Sequence, residues 1–264
     1  MKAKVKVTVL GMWASAHIGE TPSFLIESDD FTILLDMCPG VTRQLKRLGF
    51  QLPKLDMAFG SHVHSDHLSG STYVLFQHFL ETRGKANCKP LTFLGTDDVL
   101  TTIDAALKLY YPERNLEHDK FIIADPQTTV YKKDSILLRF ASVEHTVPTT
   151  AIRVEIGDTV LCYTSDGFFS PALYDLAEGA DLLIGEAFGT MEDLKDRYMP
   201  IKHSLGVHLS ELAQKANVRH VMPFHMGEIY GQPAKKAELL AEIKQNFDGE
   251  IIWGGDDLFS MVIE

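Results

Sequence analysis

The sequence predicts an α/β chain in which two β-sheets pack face to face with helices outside, or a less regular α+β arrangement of the same elements. Three observations carry this expectation. A strand-rich block followed by helical spacing occurs twice along the 264 residues. Short apolar runs such as LDMAFG (55–60) and DLLIGEAF (181–188) have the length of buried strands and alternate with helical stretches. No Pro/Gly/Ser-rich linker divides the halves and no solenoid-period repeat is found, so residues 1–264 read as one domain built from two similar halves.

In chain order, KVKVTVL (4–10), SFLIES (23–28) and FTILLDM (31–37) are strands rich in β-branched and apolar residues, with Asp29-Asp30 as the turn between the last two. After Pro39-Gly40, VTRQLKRLGF has helical spacing and ends on Gly49. LDMAFG follows as a buried strand. Residues 69–82 predict a helix, because Tyr73, Phe76 and Phe79 or Leu80 recur every three to four positions. PLTFLG and FIIAD are strands flanking a helix over about 97–110. The second block runs through TTVYKKDSILLRFASVEH and AIRVEIGDTVLCYTSDG, where Gly157-Asp158 signals a hairpin. DLLIGEAF, VRHVMPFH and the final IIWGGDDLFSMVI supply strands, and 206–217 and 234–246 are helical.

Composition narrows the partners. With 25 Lys plus Arg against 36 Asp plus Glu, the formal charge of −11 would repel a long polyanion such as structured RNA. A small substrate is easier to accept. The N-terminus passes from alternating Lys and Val straight into a strand pattern without an apolar leader, and no run of 18 apolar residues occurs. No membrane span is expected. Cys38, Cys88 and Cys162 are odd in number and far apart, which fits small buried reduced thiols in a cytoplasmic setting.

The chemistry concentrates in GSHVHSDHLSG (60–70), directly after a buried strand. On an extended loop alternate side chains point the same way, so His62 and His64 can converge on one cation while Asp66 and His67 turn towards a neighbouring point. Four donors in two pairs predict two divalent metal ions. Imidazole with carboxylate suits Zn²⁺, with Mn²⁺ or Fe²⁺ as alternatives. A solvated polar loop is the bland reading, but chance rarely gives His-x-His-x-Asp-His at a strand's end.

This segment resembles the signature of the metallo-β-lactamase fold superfamily, and further motifs of that family follow in order. Asp36 in LLDMCPG matches its early aspartate, which braces the histidine loop from behind. His145 in VEHTVPTTAIRV, Asp166 in YTSDG and His225 in VMPFHMGEIY match its distant ligands. The resemblance implies an αββα sandwich of two mixed sheets flanked by helices. It also implies His62, His64 and His145 on one metal, Asp66, His67 and His225 on the other, and Asp166 between them.

Within the superfamily, EHTVPTTAIRVE, YTSDG and IGEAF look like the ribonuclease Z branch of phosphodiesterases, which also carries a Glu followed later by His-Ser; here these are Glu186 and His203-Ser204. The resemblance implies a metal-bridging hydroxide that attacks phosphorus, while His203, aided by Glu186, protonates the leaving oxygen. Asp66 is a further candidate for proton transfer, below its role as ligand. The competing reading of His203-Ser204 is a surface pair with Ser204 capping a helix.

Departures disfavour tRNA processing. The tRNA-cleaving members carry an arm between the third histidine and the bridging aspartate, yet His145 and Asp166 are separated by only enough chain for a hairpin. The family's arginine near the last ligand is Ile229, and its early Gly-Thr-Gly loop reads Gly11-Met12-Trp13. A small or cyclic phosphodiester is therefore the expected substrate. The alternatives are another ester class (lactone, lactam, thioester or sulfate ester), an RNA-processing nuclease, or a di-iron redox protein on the same fold. Relatives often form dimers, so a homodimer is expected by analogy alone. His17 in the early loop lines the pocket or lies exposed, and Trp13 stacks on a base or packs. His78, His118, His208 and His220 read as structural or solvent-facing, and Phe168-Phe169 as core or pocket wall.

Overall fold

The computed structural model describes residues 3–15, 19–85, 89–112, 120–196, 198–255 and 258–264. The first sheet begins with an antiparallel meander of β1 (Val5–Gly11), β2 (Ser23–Glu27) and β3 (Thr32–Leu35). It continues in parallel through β4 (Met57–Gly60), β5 (Thr92–Gly95) and β6 (Lys120–Ile123). The second sheet repeats the scheme. Its antiparallel strands are β7 (Val130–Lys133), β8 (Ile136–Val143), β9 (Thr149–Ile156) and β10 (Thr159–Tyr163). Its parallel strands are β11 (Leu182–Glu186), β12 (His220–Phe224) and β13 (Glu250–Ile251). The final strand, β14 (Ser260–Ile263), returns to pair with β1. Both sheets are thus mixed, half antiparallel and half parallel.

Strand periodicity explains how the layers form. In β2, Phe24 and Ile26 point into the core between the sheets, while Leu25 between them points to the outer helices. Phe24 meets Phe224 edge-on at 5.8 Å and Tyr163 at 5.6 Å, so one strand of each sheet interlocks through aromatics. On the outer face Leu25, Leu34, Ala58 and Phe93 pack against α1 (Val41–Arg47), α3 (Ser71–Thr82) and α4 (Asp97–Tyr110) through Val41, Leu45, Val74, Val99 and Ile103. Helices α5 (Pro171–Ala177), α8 (Gly206–Lys215) and α9 (Pro233–Lys244) belong to the second half. Short helical turns α2 (Ser65–Leu68), α6 (Met191–Leu194) and α7 (Tyr198–Ile201) sit in the connections.

The predicted long helices over 41–50, 69–82, 97–110, 206–217 and 234–246 are all present within a few residues of their expected ends. Gly49 has φ +69°, the left-handed geometry that stops α1. Four α-helical segments of the described residues were not expected from the sequence: α2, within the histidine segment, and α5, α6 and α7. Helix α5 starts at Pro171 and spans only seven residues, too few for its period to stand out, and α6 and α7 have four each. No helix of the described residues is long and apolar enough to cross a membrane. His17, Cys88 and His118 lie outside the described residues.

Candidate metal centre

Strands β3, β4, β8, β10, β11 and β12 all end at one rim of the sandwich, and there the chemistry-bearing residues collect. Asp36 follows β3, the histidine segment follows β4, His145 follows β8, Asp166 follows β10, Glu186 closes β11 and His225 follows β12. The histidine segment is only partly the extended loop that alternation suggested. Its second half winds into the helical turn α2, for which His64 is the N-cap, so Asp66 and His67 sit on adjacent helical positions. The change of backbone brings Asp66 and His67 into a group with His225, while the His67 ring stays beside His62 with centroids 4.3 Å apart.

The first cluster joins His62, His64 and His145. His62 Nε2 lies 3.1 Å from His64 Nδ1, and His145 Nε2 lies 3.2 Å from that same nitrogen. Two ligands bound at 2.0–2.1 Å to a tetrahedral cation stand about 3.3 Å apart, so this spacing suits a cation between the rings. The opposite nitrogens are occupied. His62 Nδ1 donates to Ser61 Oγ at 3.0 Å, and Ser61 Oγ in turn donates to Asp36 Oδ2 at 2.8 Å. His145 Nδ1 donates to the Lys202 carbonyl at 2.9 Å. Each hydrogen bond leaves a lone pair facing the cluster. Burial, the largest influence, holds His62, His64 and His145 below the usual histidine range, as neutral ligands require.

The second cluster joins Asp66, His67 and His225, with Asp166 against it. Asp166 Oδ2 is 3.2 Å from both His67 Nε2 and His225 Nε2, and Asp66 Oδ2 is 3.4 Å from His225 Nε2. Asp166 also groups with His62 and His67, which gives it the position between the clusters. Buried Asp166 Oδ1 and His67 Nε2 have no hydrogen-bond partner among the described residues. Buried polar atoms are rarely left so, and two of them aimed into one cluster of imidazole and carboxylate donors fit divalent metal ions. Burial alone would lower His67, yet Asp166 and Asp36 on either side raise it well above the histidine range. His225 is likewise raised to about 9 by Asp166, Asp66 and Glu186 against the effect of burial.

Three residues brace the donors. Asp36 Oδ1 accepts the Ser61 N–H at 2.8 Å, and its Oδ2 accepts His67 Nδ1 at 2.7 Å and the Tyr163 hydroxyl at 2.6 Å. Glu186 Oε1 takes His203 Nδ1 at 2.5 Å and His225 Nδ1 at 3.1 Å, while its Oε2 accepts the backbone N–H groups of Gly167 and Ser204, both at 2.8 Å. Ser15 Oγ donates to Asp66 Oδ2 at 2.9 Å. Asp166, Glu186, His203 and His225 also form a possible ligand group of their own. The short Nδ1 contacts to Glu186 instead describe hydrogen bonds that hold both rings. Burial would raise Glu186, but His203 and His225 outweigh it and keep the carboxyl below its ordinary range.

Gly167, immediately after Asp166, has φ +130°, and a Cβ there would approach the Glu144 carbonyl to 2.6 Å. Only glycine allows this turn to present its N–H to Glu186. Four non-glycine residues with left-handed φ also border the site: Asp36 (52°), Ser165 (56°), Lys202 (51°) and His225 (58°). Such backbone concentrates where function demands a fixed orientation.

The structure decides between the two readings left open for each of two residues. Ser204 does not cap α8; Leu205 is the N-cap residue, and buried Ser204 instead donates its Oγ to the Gly167 carbonyl at 2.6 Å. Trp13 is buried against Trp253, with ring centroids 6.0 Å apart, which leaves no face for a base. His208 bonds the Leu205 N–H and His220 faces Glu250, both outside the clusters. Sequence reasoning missed Tyr163, Lys202, Ser15 and Phe188, whose ring stacks on His203 at 4.5 Å and 12°. Tyr163 and Phe188 stand at the ends of the YTSDG and IGEAF motifs, but each one's role depends on a partner from another strand or turn, and no motif contains Lys202 or Ser15.

Two mixed sheets with outer helices define a metallo-β-lactamase-fold protein, with His/Asp clusters at one rim that could hold metal ions. The family model described as Anti-Pycsar protein Apyc1 matches residues 14–187, and the chain belongs to that family. His203 and His225 lie beyond the matched span. Ribonuclease Z of Mycobacterium marinum is 27% identical over 194 residues, covering 68% of this chain and 69% of that protein. Among solved structures, the metallo-beta-lactamase fold protein YhfI from Bacillus subtilis aligns with a TM-score of 0.79 at 23% identity over 99% of this chain and 100% of that one. A diphosphatase from the PhnP family aligns with a TM-score of 0.74 at 18% identity over 98% of each chain.

Proposed function

We propose that the protein is a phosphodiesterase acting on a small or cyclic phosphodiester with two divalent metal ions, Zn²⁺ foremost. One observation carries this reading above other ester classes: Glu186 Oε1 is shared by His203 and His225, which binds a distal imidazole to the rim of the candidate metal centre. His62, His64 and His145 would hold one ion; Asp66, His67 and His225 would hold the other, with Asp166 between. Bound there, the ions would supply positive charge to the phosphoryl oxygens.

The chain's own groups supply the rest. Glu186 holds the Nδ1 proton of His203, leaving Nε2 as the end that gives a proton to the leaving oxygen. Phe188 stacked on His203 fixes the ring plane. Asp66, half-buried at the mouth, acts first as ligand and carries a carboxyl held below its ordinary range by His225, His67 and Ser15 against the cost of burial. The similarity to a ribonuclease and a diphosphatase supports phosphate chemistry. Against structured RNA stand the charge of −11 and the closed hairpin β9–β10, whose two-residue turn has no chain to spare for an arm.

The test is a panel of bis(p-nitrophenyl) phosphate, cyclic nucleotides, lactone, thioester and sulfate esters, and pre-tRNA, each assayed with Zn²⁺ and Mn²⁺. Phosphodiester turnover that chelation and His64→Ala abolish is the expected result. Faster turnover of another ester class, or of pre-tRNA, would replace this reading.

A further inference from the structure

The carbonyl that holds His145 belongs to a residue in an uncommon backbone conformation. Lys202 follows α7 with φ +51°, and from there its oxygen accepts His145 Nδ1–H at 2.9 Å. Had α7 continued with right-handed angles, this carbonyl would lie along the helix axis. His145 then directs Nε2 at His64 Nδ1, 3.2 Å away. The next residue in the chain is His203, whose ring centroid is 5.0 Å from that of His145. One turn therefore serves both a candidate ligand and the candidate proton donor.

We infer that Lys202 is a positioning residue, whose left-handed backbone selects the tautomer of His145 and thereby the nitrogen offered to a metal ion. The inference rests on the metallohydrolase reading above. The side chain contributes little: Lys202 Nζ meets Glu144 Oε1 at 3.2 Å, but both groups are solvent-exposed. The backbone carries the role, because a ligand imidazole is oriented by the partner of its other nitrogen. Left-handed geometry at a side-chain-bearing residue persists only where the surroundings hold it, and β-branched residues resist it most.

The test compares Lys202→Val, Lys202→Gly and Glu144→Gln with the wild type, reading Zn²⁺ affinity by chelator competition. Lys202→Val should weaken binding about 10- to 100-fold, the usual cost of disturbing a ligand's support. Lys202→Gly, which takes positive φ freely, should bind about tenfold or more tighter than Lys202→Val. Glu144→Gln should match the wild type. Two-bond ¹H–¹⁵N spectra of wild-type protein should show His145 protonated on Nδ1, a readout that needs no variant. Equal Zn²⁺ affinity of the Val and Gly variants, or a His145 proton on Nε2, would overturn the inference while leaving the metallohydrolase reading intact. A wild type that binds no divalent ion would overturn both.

Discussion

The Tyr163 hydroxyl donates to Asp36 Oδ2 at 2.6 Å, joining the end of a strand in one sheet to the end of a strand in the other. Asp36 is fully buried and receives four donors through its two oxygens, from Ser61 N and Oγ, His67 Nδ1 and Tyr163. Burial and the neighbouring carboxylates of Asp36 and Asp166 keep the Tyr163 phenol protonated, well above its ordinary range. The sheets are thus tied together directly behind the candidate metal ligands.

Tyr163→Phe should keep the ring's packing against Phe24 and Phe224 while removing that donor. A hydrogen bond to a buried carboxylate contributes about 1.5–3 kcal/mol, and a loss of that size is expected in denaturant unfolding of the metal-free protein. A change below about 0.5 kcal/mol would mean that Asp36 is satisfied without the tyrosine.

Asp36→Asn should weaken metal binding more than stability. It replaces the acceptor that fixes His67 Nδ1–H, and losses of such supports typically cost about 10- to 100-fold in metal affinity. Metal content after dialysis against a chelator series measures the effect; unchanged retention would remove Asp36 from the site's support.

His203→Asn addresses the proposed proton donor. Because His203 is bound to Glu186 by hydrogen bonding, the variant should retain its metals while kcat falls about 10²- to 10⁴-fold on a phosphodiester with an alkoxide leaving group. The loss should be smaller with p-nitrophenolate, which departs without a proton. Equal losses on both substrates would argue against a proton-donating role.

The pH dependence of metal binding follows from His225. In the metal-free protein its raised value, about 9, means that the ring carries a proton at neutral pH, whereas coordination requires the free Nε2 lone pair. Binding at pH 7.5 should therefore release a proton from His225, and none from it well above pH 9. The contribution to affinity falls about tenfold per pH unit as pH drops below about 9, for that proton. The stability linkage has the opposite course: the raised value stabilises the metal-free fold fully below the ordinary 6.5 and is lost as pH rises through about 9. Calorimetry in buffers of different ionisation heat counts the protons, and a pH-independent count of zero would refute the assignment.

Much of this architecture is legible in the sequence. His62, His64, Asp66 and His67 are neighbours in the chain, so their spacing alone announced clustered donors after a buried strand, and the alternation of strands with long amphipathic helices announced layered sheets. Helix α5 escaped because seven residues display too few turns for a period to stand out. The division of the histidine segment into a loop and the helical turn α2 escaped because four residues carry no period at all.

What the sequence determined by itself is the set of residue types able to serve as ligands, and the strand ends that carry them. Tertiary structure alone decided their supports: Tyr163 on Asp36, Lys202 on His145, Phe188 on His203, and Glu186 shared between His203 and His225. The reason is physical. A ligand's identity is a local property of the chain, whereas the tautomer and orientation of each ring depend on a partner delivered by a separate element, and only the packing of one sheet on the other brings such partners within hydrogen-bonding distance.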